Sequence, residues 1–453
     1  MTPEPPSPTA APVRGERFRY EGFDIDPDAN RVTCRYSLDG RAFTELVDFP
    51  GGGDWSEPAA RGAARLIYLL AGVSYYKTGA PPIIDLGELA LTDAERAFLR
   101  DYYIEGLGEF AYENGLDLTG IEIVAPSIDH HPVVPRHVDG RRPLIPFGGG
   151  LDSIVTVELL RPLDHGSLFV VSHPGDRYEA IEKAIVVADL PVLRAERTLD
   201  PQVLRPPADA RFFNGHVPIT GIISAIAVLG AVLDHRDAVV MSNEWSASSG
   251  TVEVDGRWIN HQWSKSLEFE AAFRSIVMGS VAPDLDYFSR LRPHSELWIA
   301  QRFSAHEKYH LAFHSCNRAF ASDPAKRYDH WCGVCAKCTF IDLIVAPFIP
   351  PDRLDDIFLS REPLANPALL AEFEGLIGTT DALKPFECVG EISECRAAVL
   401  LAAGRADRSH YPLLQTLVAQ VTAAGAPADI DELLRPMGPH HIPERYAADD
   451  LLV

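Results

Sequence analysis

An apolar run, Leu144-Ile145-Pro146-Phe147, leads into Gly148-Gly149-Gly150 and then Leu151-Asp152-Ser153. Each glycine costs the folded backbone roughly 0.5–1 kcal/mol relative to alanine, so three together imply a main chain that must approach something closely. The residues from Asp152 to Leu160 have helical periodicity. The free amides and positive dipole end of such a helix would point back at the loop, where they suit an anion. A triphosphate is the natural ligand. Asp152 could hold Mg²⁺ beside the phosphates, because Mg²⁺ prefers oxygen ligands and is bridged to phosphates by few protein groups. Ser153 could donate its hydroxyl to a phosphate oxygen. The GxxxxGK[ST] pattern is absent and no lysine follows the glycines, so this is not a Walker loop. The bland alternative is a glycine-rich strand-to-helix turn without a ligand.

A second chemical signature is Cys332, Cys335 and Cys338 in CxxCxxC spacing, with Cys316 upstream across a polar loop. Four thiolates complete a tetrahedral Zn²⁺ site, and a full protein ligand set marks it as structural because no position is left for water. Such binding contributes about 10–16 kcal/mol to a folding unit. An iron-sulfur cluster is the less favoured occupant, since no radical-enzyme motif accompanies the cysteines. His330 is a substitute ligand that four cysteines make unnecessary, and Lys337 is placed to offset thiolate charge. Three further cysteines, Cys34, Cys388 and Cys395, read as small buried apolar side chains.

Three segments carry more hydrogen-bonding groups than their apolar setting requires: Asn214-Gly215-His216, Ser242 to Ser246, and Asn260 to Ser266. Loops of this kind often hold function. The second directly follows an expected core strand, so Asn243 and Glu244 should face the nucleotide crevice. Arg292 to Arg302, Arg318 and Lys77 are candidate cations for an anionic substrate.

The elements that must position these groups follow from periodicity. Phe18 to Ile25, Arg31 to Ser37 and Arg41 to Phe49 alternate apolar and polar residues around two turns and predict a β-meander. Helical patterns cover Arg61 to Tyr75 and Asp93 to Asn114, with short strands at Pro82 to Leu86 and Ile121 to Val124. From Pro143 the chain alternates strand and helix: Leu144 to Phe147, Asp152 to Leu160, Ser167 to Ser172, Tyr178 to Val187, Val192 to Glu196, Val217 to Leu233 and Ala238 to Ser242. That alternation predicts an α/β fold with a parallel sheet, whose ligands lie at the carboxyl ends of the strands. Ser172, with His173 and Asp176 nearby, would then border the adenosine. The expected organisation is a mobile tail over 1–15, an N-terminal α+β accessory domain over 16–142, a catalytic domain over 143–350 that includes the cysteines, and a helical region over 351–453. The last region ends in an acidic tail and shows no chemistry; packing or a subunit contact in a homo-oligomer is its expected role.

At 453 residues and 46% hydrophobic, the chain has material for more than one domain. Its formal charge of −23 argues against a nucleic-acid partner, which would call for a basic surface. No apolar run reaches the length of a membrane span, and the proline-rich start lacks the basic and apolar regions of a signal peptide. Clustered cysteines suit a reducing compartment, and a cytoplasmic location with no membrane partner is the expectation.

The glycine loop resembles the SGGxDS loop of the ATP pyrophosphatase (PP-loop) superfamily, whose enzymes split ATP between the α and β phosphates and attach AMP to an acceptor oxygen. Gly149, Gly150, Leu151, Asp152 and Ser153 match, and Gly148 stands where that family usually has serine. The cysteines resemble the zinc ligands near the end of PP-loop domains that make 7-cyano-7-deazaguanine. Taken with FRYEGFDID, AGVSYYKTG, NGHVPITGI, VVMSNEWSAS, NHQWSKS and DHWCGVCAKC, the chain from Phe18 to Pro350 resembles the MurL-type UDP-N-acetylmuramoyl-L-alanyl-L-glutamate epimerases. The resemblance implies an ATP- and Mg²⁺-dependent inversion of the terminal L-glutamate of a UDP-N-acetylmuramoyl dipeptide in peptidoglycan biosynthesis, with release of AMP and pyrophosphate.

The α-proton beside a free carboxylate is hard to remove, because deprotonation piles a second negative charge on the same group. Adenylation removes the first charge and lets the carbonyl take up the carbanion as an enolate. The expected proton-transfer groups are Glu244, His216, His261 and Lys265, with Asn243 holding the oxyanion; the phosphate and nucleotide contacts are Gly148, Gly149, Gly150, Asp152, Ser153 and Ser172. Paired cysteines are set aside because metal would occupy the clustered ones. The competing readings are an amide-forming PP-loop ligase, a nucleobase-modifying enzyme and a non-catalytic nucleotide-binding regulator.

Overall fold

The structure, a computed structural model, describes residues 11–163, 165–254, 256–321, 323–379, 387, 389–425 and 429–447. In chain order its strands are β1 (Arg17–Asp26), β2 (Arg31–Leu38), β3 (Arg41–Asp48), β4 (Ile83–Asp85), β5 (Glu122–Val124), β6 (Pro143–Pro146), β7 (Ser167–Ser172), β8 (Val192–Thr198), β9 (Ala238–Met241), β10 (Val252–Val254), β11 (Arg257–Ile259) and β12 (Asp286–Ser289). The chain divides into two compact units. One comprises 1–137, 194–235 and 275–285; the other comprises 138–193, 236–274 and 286–453.

In the first unit the alternating meander forms as its periodicity predicts: β1 pairs antiparallel with β2 and β2 with β3. Asn30 and Asp39 adopt positive φ at the two turns, a conformation that short polar side chains tolerate better than others. β4 and β5 extend the β1 edge in parallel. The inward face of the meander is unusually aromatic. Tyr36 stacks on Tyr68 and Tyr75 with centroids 5.3 and 5.1 Å away, and the Tyr36 hydroxyl donates to the Tyr68 carbonyl at 2.7 Å, so a fully buried phenol keeps a partner. The pattern expected to give one helix from Asp93 to Asn114 gives two, Asp93–Ile104 and Gly108–Asn114. A side chain at Gly106, between them, would collide with the Tyr102 carbonyl and the Pro218 ring.

The second unit contains a parallel sheet in the order β12-β9-β6-β7. The helix Glu296–Ser304 packs on Leu151–Leu160 and on Ala336–Val345, and the last packs on Ile392–Ala403. One continuous apolar core runs from Ile145 and Val240 through Phe288, Phe340 and Val399 to Tyr446. The mixed α/β class with parallel pairing agrees with the strand-helix alternation. One strand differs from it: residues 196–198 of β8 pair antiparallel with 46–48 of β3, so this segment joins the meander in the first unit. The ion pair of Arg197 Nε with Glu45 Oε1 at 2.7 Å, both residues buried, fixes that pairing. No helix among the described residues is long and apolar enough to cross a membrane.

Candidate active site

The glycine loop leaves β6 and enters the helix Leu151–Leu160. Gly149 has φ +74°, and a Cβ there would sit 2.9 Å from the Ala180 carbonyl and 3.1 Å from the Ile181 Cα, so backbone conformation and helix packing both exclude a side chain. Gly150 caps the helix in an extended conformation without a side-chain bond to the first amides. These amides are therefore left for a ligand, water or the loop itself. The Ser153 hydroxyl, expected to meet phosphate, donates to the Gly150 carbonyl at 3.0 Å. Gly148 differs from its neighbour: a Cβ built there meets nothing within 4 Å. Around the loop, the hydroxyls of Ser172, Ser242 and Ser315 are buried without a hydrogen-bond partner among the described residues. Three idle donors near a helix N-terminus suit a ligand rich in acceptor oxygens, which is the property of a nucleoside triphosphate. Asp176, expected beside Ser172 at the adenosine, is engaged in two 2.7 Å bonds with Arg327.

The next strand end carries Asn243 and Glu244, both buried. Their main chain is tightly held. Ser289 Oγ donates to the Asn243 carbonyl at 2.6 Å, and Arg292 Nη1 donates to the Glu244 carbonyl at 2.7 Å. Arg292 also donates from Nη2 to the Lys265 carbonyl at 2.5 Å and from Nε to Glu270 Oε2 at 3.0 Å. One fully buried guanidinium thus fastens two of the polar segments to each other, so Arg292 is a clamp rather than a cation offered to substrate. Arg302 lies over the Trp298 ring at 4.9 Å, and Arg318 donates to the Tyr328 hydroxyl at 3.0 Å. Lys265 Nζ donates to Gln262 Oε1 at 3.0 Å, and the backbone N–H of His261 in the same segment donates to Thr251 Oγ1 at 3.4 Å.

β12, which sequence periodicity does not reveal, brings a further acid to this end of the sheet. Ser295 caps the following helix, and Glu296 is its first residue. β12 neighbours β9, which neighbours β6, so Glu296, Glu244 and Asp152 follow the carboxyl ends of three adjacent parallel strands. Burial pushes the Glu296 carboxyl well above its ordinary range; the negative charges of Asp152 and Glu244 add to this, and Lys337 opposes it. Lys337, expected to offset thiolate charge, therefore also acts on the acids. Glu394, from the helix Ile392–Ala403, accepts the backbone N–H of Glu296 at 2.7 Å. Its own carboxyl is raised by burial to about 7, although amide bonds from Glu391 and Glu296 act to lower it. The region past Glu362 thus reaches the acidic cluster.

His216 and Lys77 belong to the first unit. Lys77 Nζ donates to the Gly215 carbonyl at 2.7 Å and to Asn214 Oδ1 at 3.2 Å, and burial lowers its pKa to about 8. His216 Nδ1 lies 3.8 Å from Glu109 Oε2. Glu244, Asn243, Lys265 and His261 belong to the second unit, where Arg292 joins the Glu244 and Lys265 segments.

The four clustered cysteines converge. Sγ separations are 3.9 Å for Cys316 and Cys335, 3.7 Å for Cys332 and Cys338, and 3.5 Å for Cys335 and Cys338. A tetrahedral ion with metal–sulfur bonds near 2.3 Å spaces its thiolates by about 3.8 Å, so the set could hold one metal ion. The His314 amide donates to the Gly149 carbonyl at 3.1 Å, which ties the approach to Cys316 to the glycine loop. Cys34 and Cys395 are buried, as expected of apolar-type cysteines, whereas Cys388 lies outside the described residues.

The family model described as the MurL N-terminal domain matches residues 9–290, and the MurL C-terminal domain matches 312–432. The resemblance therefore continues past Pro350 through the helices that carry Glu394. The chain is 37% identical to a UDP-N-acetyl-alpha-D-muramoyl-L-alanyl-L-glutamate epimerase of Xanthomonas oryzae pv. oryzae, with 94% of this chain and 95% of the relative covered. Relatives of the same name from Salinispora tropica and a Micromonospora species are 37% and 36% identical, covering 96% of this chain and 95% and 97% of theirs. Matched by both family models and aligned with these relatives along nearly its whole length, the chain belongs to the MurL epimerase family.

Proposed function

We propose that the protein inverts the terminal L-glutamate of UDP-N-acetylmuramoyl-L-alanyl-L-glutamate to D-glutamate, through an acyl-adenylate made from ATP, as a cytoplasmic step of peptidoglycan biosynthesis. The full-length likeness to relatives bearing that name supports the substrate. The observation that carries the adenylation half is the cradle at Gly149, where positive φ and packing exclude a side chain just before a helix N-terminus and beside buried serine hydroxyls unpartnered among the described residues. A PP-loop type of nucleotide-binding domain is the reading that this cradle supports.

In this reading the glutamyl α-carboxylate attacks the α-phosphorus, the bond to the β-phosphate oxygen breaks and pyrophosphate leaves. The loop amides orient the phosphates, and Asp152 would hold Mg²⁺, which when bound neutralises phosphate charge. The activated carbonyl acidifies the α-carbon. A base removes the proton from one face, an acid returns one to the other, and water releases AMP from the inverted product. Glu244, Lys265, His261 and His216 remain the proton-transfer candidates, with Asn243 at the oxyanion. Cys316, Cys332, Cys335 and Cys338 would close a structural Zn²⁺ site that stiffens the loop's far side.

The test is incubation with ATP, Mg²⁺ and the L-glutamate precursor in D₂O. Formation of AMP together with D-glutamate bearing deuterium at the α-carbon is expected. AMP that forms only when ammonia or an amine is added would instead identify a ligase and overturn the proposal.

A further inference from the structure

Inversion at carbon needs a proton-transfer group on each face, and the residues singled out by sequence pattern are mainly in loops. Glu296 differs from them. It begins a regular helix, its exposure is 2%, and its Oε2 has no hydrogen-bond partner among the described residues. A buried polar atom left unpaired is costly, and such atoms are found at positions where a ligand or reaction uses them.

Glu394 holds the main chain of Glu296. Its Oε1 accepts the Glu296 amide at 2.7 Å and its Oε2 accepts the Glu391 amide at 2.5 Å, so both oxygens are engaged. A Cβ at Gly390 would lie 2.7 Å from Glu394 Oε2 and 3.2 Å from Glu296 Cγ, which leaves the two acids little room to move. The Glu296 carboxyl lies within electrostatic range of Asp152 and Glu244, which follow the carboxyl ends of adjacent parallel strands, and of Lys337 in the helix Ala336–Val345.

We propose that Glu296 is a proton-transfer group of the epimerisation, working with Glu244 on the opposite face of the α-carbon, and that Glu394 is its positioning residue. The inference rests on the epimerase reading above. One carboxylate takes the α-proton while the C–H electron pair moves into the activated carbonyl as an enolate. The other, as the carboxylic acid, returns a proton to the opposite face. No net proton is consumed, and the pair finishes with its protonation states exchanged. The unpartnered Oε2 is the atom assigned to the transfer.

Glu296→Gln, assayed as the full chain with ATP, Mg²⁺ and either epimer in D₂O, tests this assignment. Inversion should fall about 10²–10⁴-fold, the usual contribution of a positioned acid or base. Substrate-dependent pyrophosphate release should continue, because the adenylate then hydrolyses without inversion. Deuterium should still enter the α-carbon of one epimer and not of the other, which locates the face that Glu296 serves. Glu296→Asp, which keeps the carboxyl on a shorter stem, should restore part of the inversion. Glu394→Ala should lower the inversion rate more than the affinity for the dipeptide substrate. Unchanged inversion in Glu296→Gln would overturn the proposal, and so would loss of pyrophosphate release in a folded variant, which would move Glu296 to the adenylation step. If the unaltered protein forms no AMP with the dipeptide, the failure belongs to the epimerase reading instead.

Discussion

Arg292 Nη1 donates to the Glu244 carbonyl at 2.7 Å, while its Nη2 holds the Lys265 carbonyl at 2.5 Å. Because the guanidinium is planar with five fixed donors, it serves two carbonyls and the Glu270 carboxylate at once, whereas an ammonium cannot reproduce that fork. Arg292→Lys should therefore fold but lower turnover about tenfold with little change in KM, the signature of a displaced reacting group rather than a lost binding contact. Steady-state kinetics with the dipeptide substrate measure the split. Arg292→Met removes the charge partner of buried Glu270 and should destabilise by about 3–5 kcal/mol, readable by thermal denaturation.

Gly148 and Gly149 should respond in opposite ways. At Gly148 a Cβ meets open space, so Gly148→Ser should leave the melting temperature unchanged and add a hydroxyl to the loop proposed to cradle phosphate. ATP affinity, followed by calorimetry, should rise by up to about tenfold, on the order of one added hydrogen bond. Gly149→Ala forces a Cβ against the Ala180 carbonyl at positive φ and should lower stability by about 1–3 kcal/mol.

The cysteine site should bind one ion per chain, and Zn²⁺ is the species expected in the purified protein by mass spectrometry of the metal content. Cys332→Ser or Cys338→Ser should lose it. Since the His314 amide holds the Gly149 carbonyl, the loss should also weaken ATP binding.

Acid stability depends on Glu95. Burial alone would raise its carboxyl, yet hydrogen bonding and charge from Arg65, with the Thr92 amide and His131, hold it at about 2. The unfolded value is about 4.5, so the native state binds fewer protons than the unfolded chain between these limits. The stabilisation is complete above the unfolded value and is lost as pH falls through about 2; its ceiling is on the order of 3 kcal/mol. Glu95→Gln should flatten the fall of melting temperature between pH 5 and 3, as measured by calorimetry at each pH.

Some of this architecture is legible because the signal is local. β7 spans Ser167–Ser172 as its apolar run predicts, the meander strands agree within about a residue, and the CxxCxxC spacing brings Cys332, Cys335 and Cys338 together with Cys316. What escapes is set by remote partners. Val192 to Glu196 resembles any core strand, and the antiparallel partner that β3 offers to residues 196–198 lies far away in sequence. β12 is as short as β6 and β9 but reads Asp-Tyr-Phe-Ser, with only two apolar residues between polar ends, so no apolar run marks it. In sequence Glu296 falls within the cation-bearing stretch Arg292 to Arg302, and Glu394 within the helical region where no chemistry is expected. Neither pattern discloses that one residue's amide meets the other's carboxylate.

The bond between the Glu296 amide and Glu394 spans 98 residues. Contacts so distant in sequence form late, after the loop-closing entropy has been overcome, and the chain emerges from the ribosome N-terminal end first. The glycine cradle and the strand carrying Glu244 can therefore assemble while the helix bearing Glu394 has not yet been synthesised. The Glu296 backbone gains its carboxylate partner only when that helix docks, so a nascent or truncated chain would acquire its glycine cradle before its full acidic cluster.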